Sequence, residues 1–138
     1  MNALKPAELS LWNGRKDENL GRPNYWYEMV KASSLEKLKP SANKQLAILG
    51  YAVDEGVKRN QGRVGAIDGP DAIRKMLAIL PNHFLSPTDI LDLGNVVCVD
   101  EDLDATHGHL SMAVSQLLNQ GAFPILLGGG HDIAYAHY

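Results

Sequence analysis

A nearly unbroken apolar run, Gln45-Leu-Ala-Ile-Leu-Gly-Tyr-Ala-Val53, constrains this chain more than any other feature. A strand with one wet face would alternate apolar and polar residues. A run without that alternation predicts a strand covered on both faces, as in a parallel sheet sandwiched between helices. The sequence downstream keeps to that plan. Ile90–Val97 reads as a second strand interrupted by Gly94, and Phe123-Pro-Ile-Leu-Leu127 as a third. Between the first two, Pro70 suits the first position of a helix, Asp71 its positive dipole end, and Pro81 stops it. The expected apolar stripe is Ile73, Met76, Leu77 and Leu80. A second helix carries Leu110, Ala113, Val114, Leu117 and Leu118 at i, i+3, i+4, i+7 and i+8, with Gly121 as its C-terminal cap. Residues 133–138 read as the first turns of another helix. Alternation of this kind gives an α/β fold with a mainly parallel sheet and helices on both faces.

The first forty residues are punctuated by Pro6, Pro23 and Pro40. Trp26, Met29, Val30 and Ser33 fall at helical spacing and predict a short helix over 24–34. Trp12, Tyr25, Trp26 and Tyr27 read as core or edge packing. A polar, glycine-rich loop is expected over 54–69. With 138 residues the chain is sized for one core. Its 45% hydrophobic and 21% charged residues exclude general disorder. Thirteen basic against 16 acidic residues, a net charge of −3, argue against a nucleic-acid partner and against a polybasic membrane anchor. No apolar run reaches the roughly 20 residues that cross a bilayer. The N-terminus lacks an apolar signal core, and the single cysteine, Cys98, fits a reducing compartment, so a cytoplasmic location is expected. The chain stops inside its last helix, directly after its most motif-like segment. A sheet of three strands would leave an apolar edge open. The expectation is a single incomplete domain over 1–138.

Ligands of parallel α/β sheets bind outside the carboxyl ends of the strands. Two segments emerge there: Asp54–Arg63 and Gly128-Gly-Gly-His-Asp132. The second admits three readings. Its glycines could cradle a phosphate, although neither GxGxxG nor a P-loop lysine is present. His131 could be a catalytic base or a metal ligand, or it could be a packed histidine bonded to its own turn. The cluster Asp100, Glu101, Asp102, Asp104, His107 and His109 has donors that suit a divalent ion. His107 and His109, however, stand two apart at a helix start and point to different faces. The acids are accounted for by the helix dipole and capping. His83, Cys98 and His137 have no partner at ligand spacing.

Three stretches resemble the arginase, agmatinase and formimidoylglutamase family, the ureohydrolases, and its formimidoylglutamase branch in particular. Trp12-Asn-Gly-Arg-Lys-Asp17 resembles that branch's W-x-G-R-x-D opening. The block Gly50–Arg74, with Asp54-Glu-Gly-Val-Lys-Arg-Asn-Gln-Gly-Arg63 at its heart, is similar to D-E-G-V-x-R-N-x-G-R-x-G-A-x-x-G-P-x-A-I-R. Gly128–Asp132 resembles the family's first metal motif. The resemblance implies a three-layer α/β/α fold, of which about three strands are present, and two Mn2+ ions per complete active site. It implies hydrolysis of N-formimidoyl-L-glutamate to L-glutamate and formamide, a step of histidine degradation. By this match His131 is the first metal ligand, and Asp132 supports it or caps the helix.

Asn60 and Arg63 are candidates for substrate contact, because an arginine fork can hold a glutamate carboxylate. Arg63 has an alternative: pairing with Asp54 or Glu55. Gly65, Gly69 and Pro70 read as structural, and Arg74 as a helix-surface or ion-pair residue. No catalytic residue is assigned. The family's remaining ligands come from D-A-H-x-D and S-x-D-x-D motifs, which this sequence lacks. Asp104-Ala-Thr-His107 departs from D-A-H by an extra residue and lies upstream. The chain is therefore expected to be the N-terminal part of such an enzyme and inactive alone. Other ureohydrolases, such as agmatinase or guanidinobutyrase, are the rival within the enzyme class. A non-catalytic module that forms a homo-oligomer through its sheet edge is the rival outside it.

Overall fold

In the computed structural model, which describes residues 2–18 and 21–138, the apolar run becomes strand β3, Lys44–Ala52, at the centre of the sheet. Parallel neighbours flank it on both sides: β4, Thr88–Val97, and β5, Phe123–Leu127. The outer edge of β4 is shared by two short strands. β2, Val30–Ala32, runs parallel along its first half, and β1, Leu4–Lys5, runs antiparallel along its end. Four α-helices accompany them among the described residues: α1, Glu55–Arg59; α2, Gly69–Ala78; α3, Leu103–Asn119; and α4, Ile133–His137.

Successive β3 side chains point to opposite faces, which makes three layers. Ala47, Leu49, Tyr51 and Val53 pack with Leu93 and Val96 of β4 and with Leu110, Ala113, Val114 and Leu117 of α3. Leu46 and Ile48 pack on the other face with Ile90, Ala78 of α2 and Trp12. The fold is α/β, as expected, and the sheet has five strands among the described residues rather than three.

One of the two extra strands, β2, lies where a helix was expected. Residues 26–28 form a single 3-10 turn, and β2 follows at once. Backbone pairing accounts for this outcome: Trp26 N–H reaches the Leu80 carbonyl, Asn82 N–H reaches Asn24, and Ser33 N–H reaches Asp92. The Glu28 carboxylate closes the turn by accepting from the N–H groups of Asn24 and Tyr25. The aromatic residues pack as expected, with Trp12 buried and Trp26 5.7 Å from Phe84, centroid to centroid. The 54–69 loop is likewise not all loop, since α1 occupies part of it.

β4 carries a bulge at Gly94. Ile48 pairs with Asp92 but Gly50 with Asn95, so β4 uses three residues where β3 uses two. Gly94 sits at φ +85°, and a Cβ there would collide with the Lys5 carbonyl of β1. The extra residue keeps Val96 on the α3 face with Leu93 while turning Asn95 to the face of Asp92.

That second face explains a failed expectation. The inward positions of α2 are Pro70, Arg74 and Ala78, whereas Met76 is 66% exposed and Ile73 and Leu80 also face outward. Only Leu77 of the expected stripe packs inward. Arg74 is an ion-pair residue but not a surface one. Its Nε and Nη2 fork onto Asp92 at 2.8 and 2.9 Å, and Nη1 donates to Asn95 Oδ1 at 2.7 Å. Asp92, fully buried, also accepts from Trp12 Nε1 at 2.7 Å and Gly94 N–H at 2.9 Å. A charged residue heads the buried stripe, so hydropathy spacing could not find it.

α3 follows its pattern except at Leu118, which is exposed. Asp102 caps its start by accepting from Ala105 N–H. Gly121, at φ +76°, ends it with N–H bonds from Gly121 to Leu118 and from Ala122 to Leu117.

Candidate functional site

β5 delivers the chain to the carboxyl end of the sheet, where Gly128-Gly-Gly130 folds back over the end of β3. Gly129 N–H donates to the Tyr51 carbonyl at 3.1 Å, and Gly130 N–H to Val53 at 2.9 Å. A Cβ on Gly129 would collide with the Tyr51 carbonyl, so this approach requires glycine. α1 closes in from the side: a Cβ at Gly56 would stand 2.9 Å from Asp132 Oδ1. The two segments singled out in the sequence therefore meet at one sheet end.

His131 follows the glycines and is exposed, with no side-chain partner among the described residues. Asp132 is held firmly instead. Its Oδ2 accepts from the Tyr51 hydroxyl at 2.5 Å and lies 2.7 Å from His107 Nε2. Its Oδ1 is buried and unpartnered among the described residues. The His107 ring sits between Tyr51 and Tyr135, at centroid distances of 6.4 and 5.3 Å. Burial, with the bond to Asp132 second, pushes the Tyr51 hydroxyl well above the ordinary tyrosine range. Asp132 stands at the N-cap position of α4, but its side chain makes no capping bond there, so that part of the expectation fails.

Sequence spacing missed His107, because it was weighed only as a metal ligand, beside His109 and within Asp104-Ala-Thr-His107. The two histidines do face apart, and His109 is exposed. The available signal was topological: a helix that follows a strand of this sheet begins at the strand's carboxyl end, beside the glycine turn. Two of the acids near it, Asp102 and Glu101, have structural roles. Glu101 pairs with Lys58 at 2.8 Å, and its carbonyl accepts from Arg59, which ties α1 to the start of α3. That pairing lowers the Glu101 carboxyl and raises the Lys58 ammonium from their ordinary values.

Asn60 ends α1, its N–H bonded to the Gly56 carbonyl at 3.1 Å, and its side chain is exposed. Arg63 is exposed too. Both of its alternative partners are engaged elsewhere. Asp54 accepts from Gly65 N–H at 3.0 Å, and Glu55 pairs with Arg59 at 2.9 Å. No hydrogen bond or ion pair joins Asn60 or Arg63 to His131 among the described residues.

Carboxylates and imidazoles are the donors a manganese ion takes. His131 fits one such position: a free imidazole at the mouth of the sheet. Among the described residues no three His, Cys, Asp or Glu side chains lie where they could share an ion.

Comparison with known proteins finds relatives for this chain. The profile of the arginase family matches residues 44–138. The chain is 42% identical over 139 residues to a formimidoylglutamase of Aeromonas salmonicida, covering 100% of this chain and 43% of that protein. It is 40% identical over 138 residues to one of Geobacillus kaustophilus, covering 97% and 42%. A crystal structure of Trypanosoma cruzi formiminoglutamase with Mn2+ superposes with a TM-score of 0.58 at 32% identity, over 75% of this chain and 38% of that one. The formimidoylglutamase of Bacillus subtilis superposes at 0.66 with 19% identity, over 89% and 38%, a likeness of fold alone. The chain thus spans less than half the length of these relatives.

Proposed function

The chain belongs to the arginase family, and from that premise we propose that it is the N-terminal part of a manganese-dependent formimidoylglutamase. The reaction adds water to N-formimidoyl-L-glutamate and releases L-glutamate and formamide. The observation that carries this reading is the placement of His131: a free imidazole, on a turn packed against the end of β3, at the sheet end where α/β folds do their chemistry. Relatives about 40% identical that bear this activity's name support the substrate class.

A pair of manganese ions, when bound, supplies the Lewis acidity that activates water for attack on an amidine carbon. The chain's own contribution is to present an imidazole nitrogen of His131 at the mouth of the sheet. Arg63, free of Asp54 and Glu55, offers an open fork to the substrate's carboxylate, and Asn60 offers an amide beside it. One imidazole cannot hold an ion pair, so the 138-residue domain is incomplete and inactive alone, and the other ligands come from further sequence. The setting is cytoplasmic and the partner a small molecule; no helix among the described residues is long and apolar enough to cross a membrane.

Equilibrium dialysis against Mn2+ tests the reading. Binding far below one ion per chain, abolished by His131→Ala, is expected. About two ions per chain would sink it. A second reading rests on β5, whose outer edge is unpaired among the described residues and whose Phe123 is 63% exposed. A tight, metal-independent dimer in sedimentation would favour a self-associating module.

A further inference from the structure

We infer that the outward face of α2 is an interface on which a second copy of this chain docks, helix against helix about a two-fold axis. This surface is separate from the reaction proposed above and does not depend on it. α2 is built inside out. Its buried side carries Arg74, while its exposed side carries Ala72, Ile73 and Met76, continued by Ile79 and Leu80 in the turn that closes it. Lys75 is the one exposed charge between residues 72 and 80. A helix whose outer face meets only water shows the reverse, with its charges outside and its apolar stripe on the core.

The stripe has the size of a docking surface. Met76, Ile79, Leu80 and Ile73 are 66, 54, 41 and 38% exposed. Together they leave on the order of 400 Å2 of apolar surface, a patch of the kind that marks an interaction site on soluble proteins. Two such stripes pressed together bury about half the area of a standard interface, enough for its apolar centre. Pairing of that extent is expected in the micromolar range rather than the nanomolar.

Geometry and charge select a second copy as the occupant. Arg74 and Ala78 face the sheet, and helical periodicity points Met76 the opposite way, out of the three layers. A neighbour within the same layer covers only a flank of α2, as Leu9–Leu11 and Trp26–Glu28 do. What covers Met76 must therefore lie outside the sandwich. The same stripe on another copy is self-complementary, as a two-fold contact requires. Crossing antiparallel, each copy brings Lys75 toward Asp68 and Asp71 at the start of the other's α2, so the one exposed charge is matched rather than opposed.

The test is sedimentation equilibrium of the 138-residue chain, free of metal, over roughly 1–300 µM. The parent should pass from the mass of one chain to that of two. Met76→Lys places a charge at the centre of the stripe and should raise the dissociation constant at least about tenfold, with an unchanged circular dichroism spectrum. Ile79→Glu should act in the same direction and covers the case in which the first variant misfolds. Phe123→Lys, at the open edge of β5, should leave pairing within about twofold of the parent. In a Cys98→Ser background, Met76→Cys should cross-link to its copy on oxidation. A parent that stays monomeric throughout overturns the inference and leaves the stripe to further sequence of the same chain. Pairing that survives both α2 changes, or that Phe123→Lys abolishes, overturns it in favour of the sheet edge. A paired Met76→Cys chain that does not cross-link overturns the two-fold arrangement.

Discussion

Replacing Arg74 by Met should cost this fold more than any other single exchange on α2. The guanidinium makes four hydrogen bonds, two to Asp92, one to Asn95 Oδ1 and one to the Gly94 carbonyl, all inside the sheet–α2 layer. Methionine fills much of the volume but leaves Asp92, fully buried, with only the Trp12 indole and the Gly94 N–H. Removing one partner of a buried pair costs roughly 3–5 kcal/mol, because the other charge stays uncompensated. At about 2–4 °C per kcal/mol for a domain of this size, the melting temperature should drop by roughly 6–20 °C. Urea unfolding followed by circular dichroism and by tryptophan fluorescence measures it, and Trp12 reports on the network directly. The double variant Arg74→Met with Asp92→Leu should recover part of the loss, since no lone charge remains. It should not reach the parent, because the Trp12 indole N–H and the Asn95 amide oxygen are left without partners at about 1–3 kcal/mol each. A loss below about 1 kcal/mol for Arg74→Met, or a double variant worse than the single, would refute the account of this pair as a buried, mutually dependent unit.

Three further outcomes follow from the geometry. Gly94→Ala forces a side chain into φ +85° and against the Lys5 carbonyl, so it should cost upwards of about 1–2 kcal/mol and release β1, seen as faster amide exchange at Val97. Tyr51 has its hydroxyl pKa raised in the folded state. Its contribution is fully present below the unfolded value near pH 10 and is lost as pH rises beyond it, so alkaline unfolding above about pH 10 should soften in Tyr51→Phe; an identical profile would contradict this. Arg63→Ala, at an exposed position with no ion-pair partner among the described residues, should leave the unfolding free energy within about 0.5 kcal/mol of the parent, and a larger loss would reveal a structural partner.

How far the sequence could be read depended on whether a residue's role was local. β3, β4, β5 and α3 were legible because burial on one or two faces writes a period into the residues themselves. The glycine turn was legible because close approach to β3 excludes every side chain. The segment 24–34 was misread, because its pairing to β4 and to residues 80–82 is decided across the chain, where spacing carries no information. α2 was misread for a related reason: its inward face is built around Arg74, and only the position of Asp92 on a distant strand makes a buried arginine tolerable. His107 was discounted because spacing could weigh it only as a metal ligand, beside His109 or within Asp104-Ala-Thr-His107. Its partner, Asp132, is 25 residues downstream.

Consecutive residues of β3 separate the two demands on this chain. Gly50 faces α2, and a Cβ there would collide with Asn95 Oδ1 and stand 2.9 Å from Arg74 Nη1, so its smallness serves the buried ion pair. Tyr51 faces α3, and its hydroxyl and carbonyl both serve the turn that carries His131, one by holding Asp132 and the other by accepting from Gly129. The strand alternation that places them on opposite faces means that a substitution at Gly50 should act on stability and leave the turn's geometry to β3 and α3. A hydroxyl deletion at Tyr51 should act on the turn and leave the α2 layer intact. The bulge at Gly94 keeps this division possible, because without the extra residue in β4, Asn95 would turn toward α3 and Val96 toward Arg74. The sheet can thus bury a charged pair on one face and brace a ligand turn on the other without either network reaching through the strand to the other.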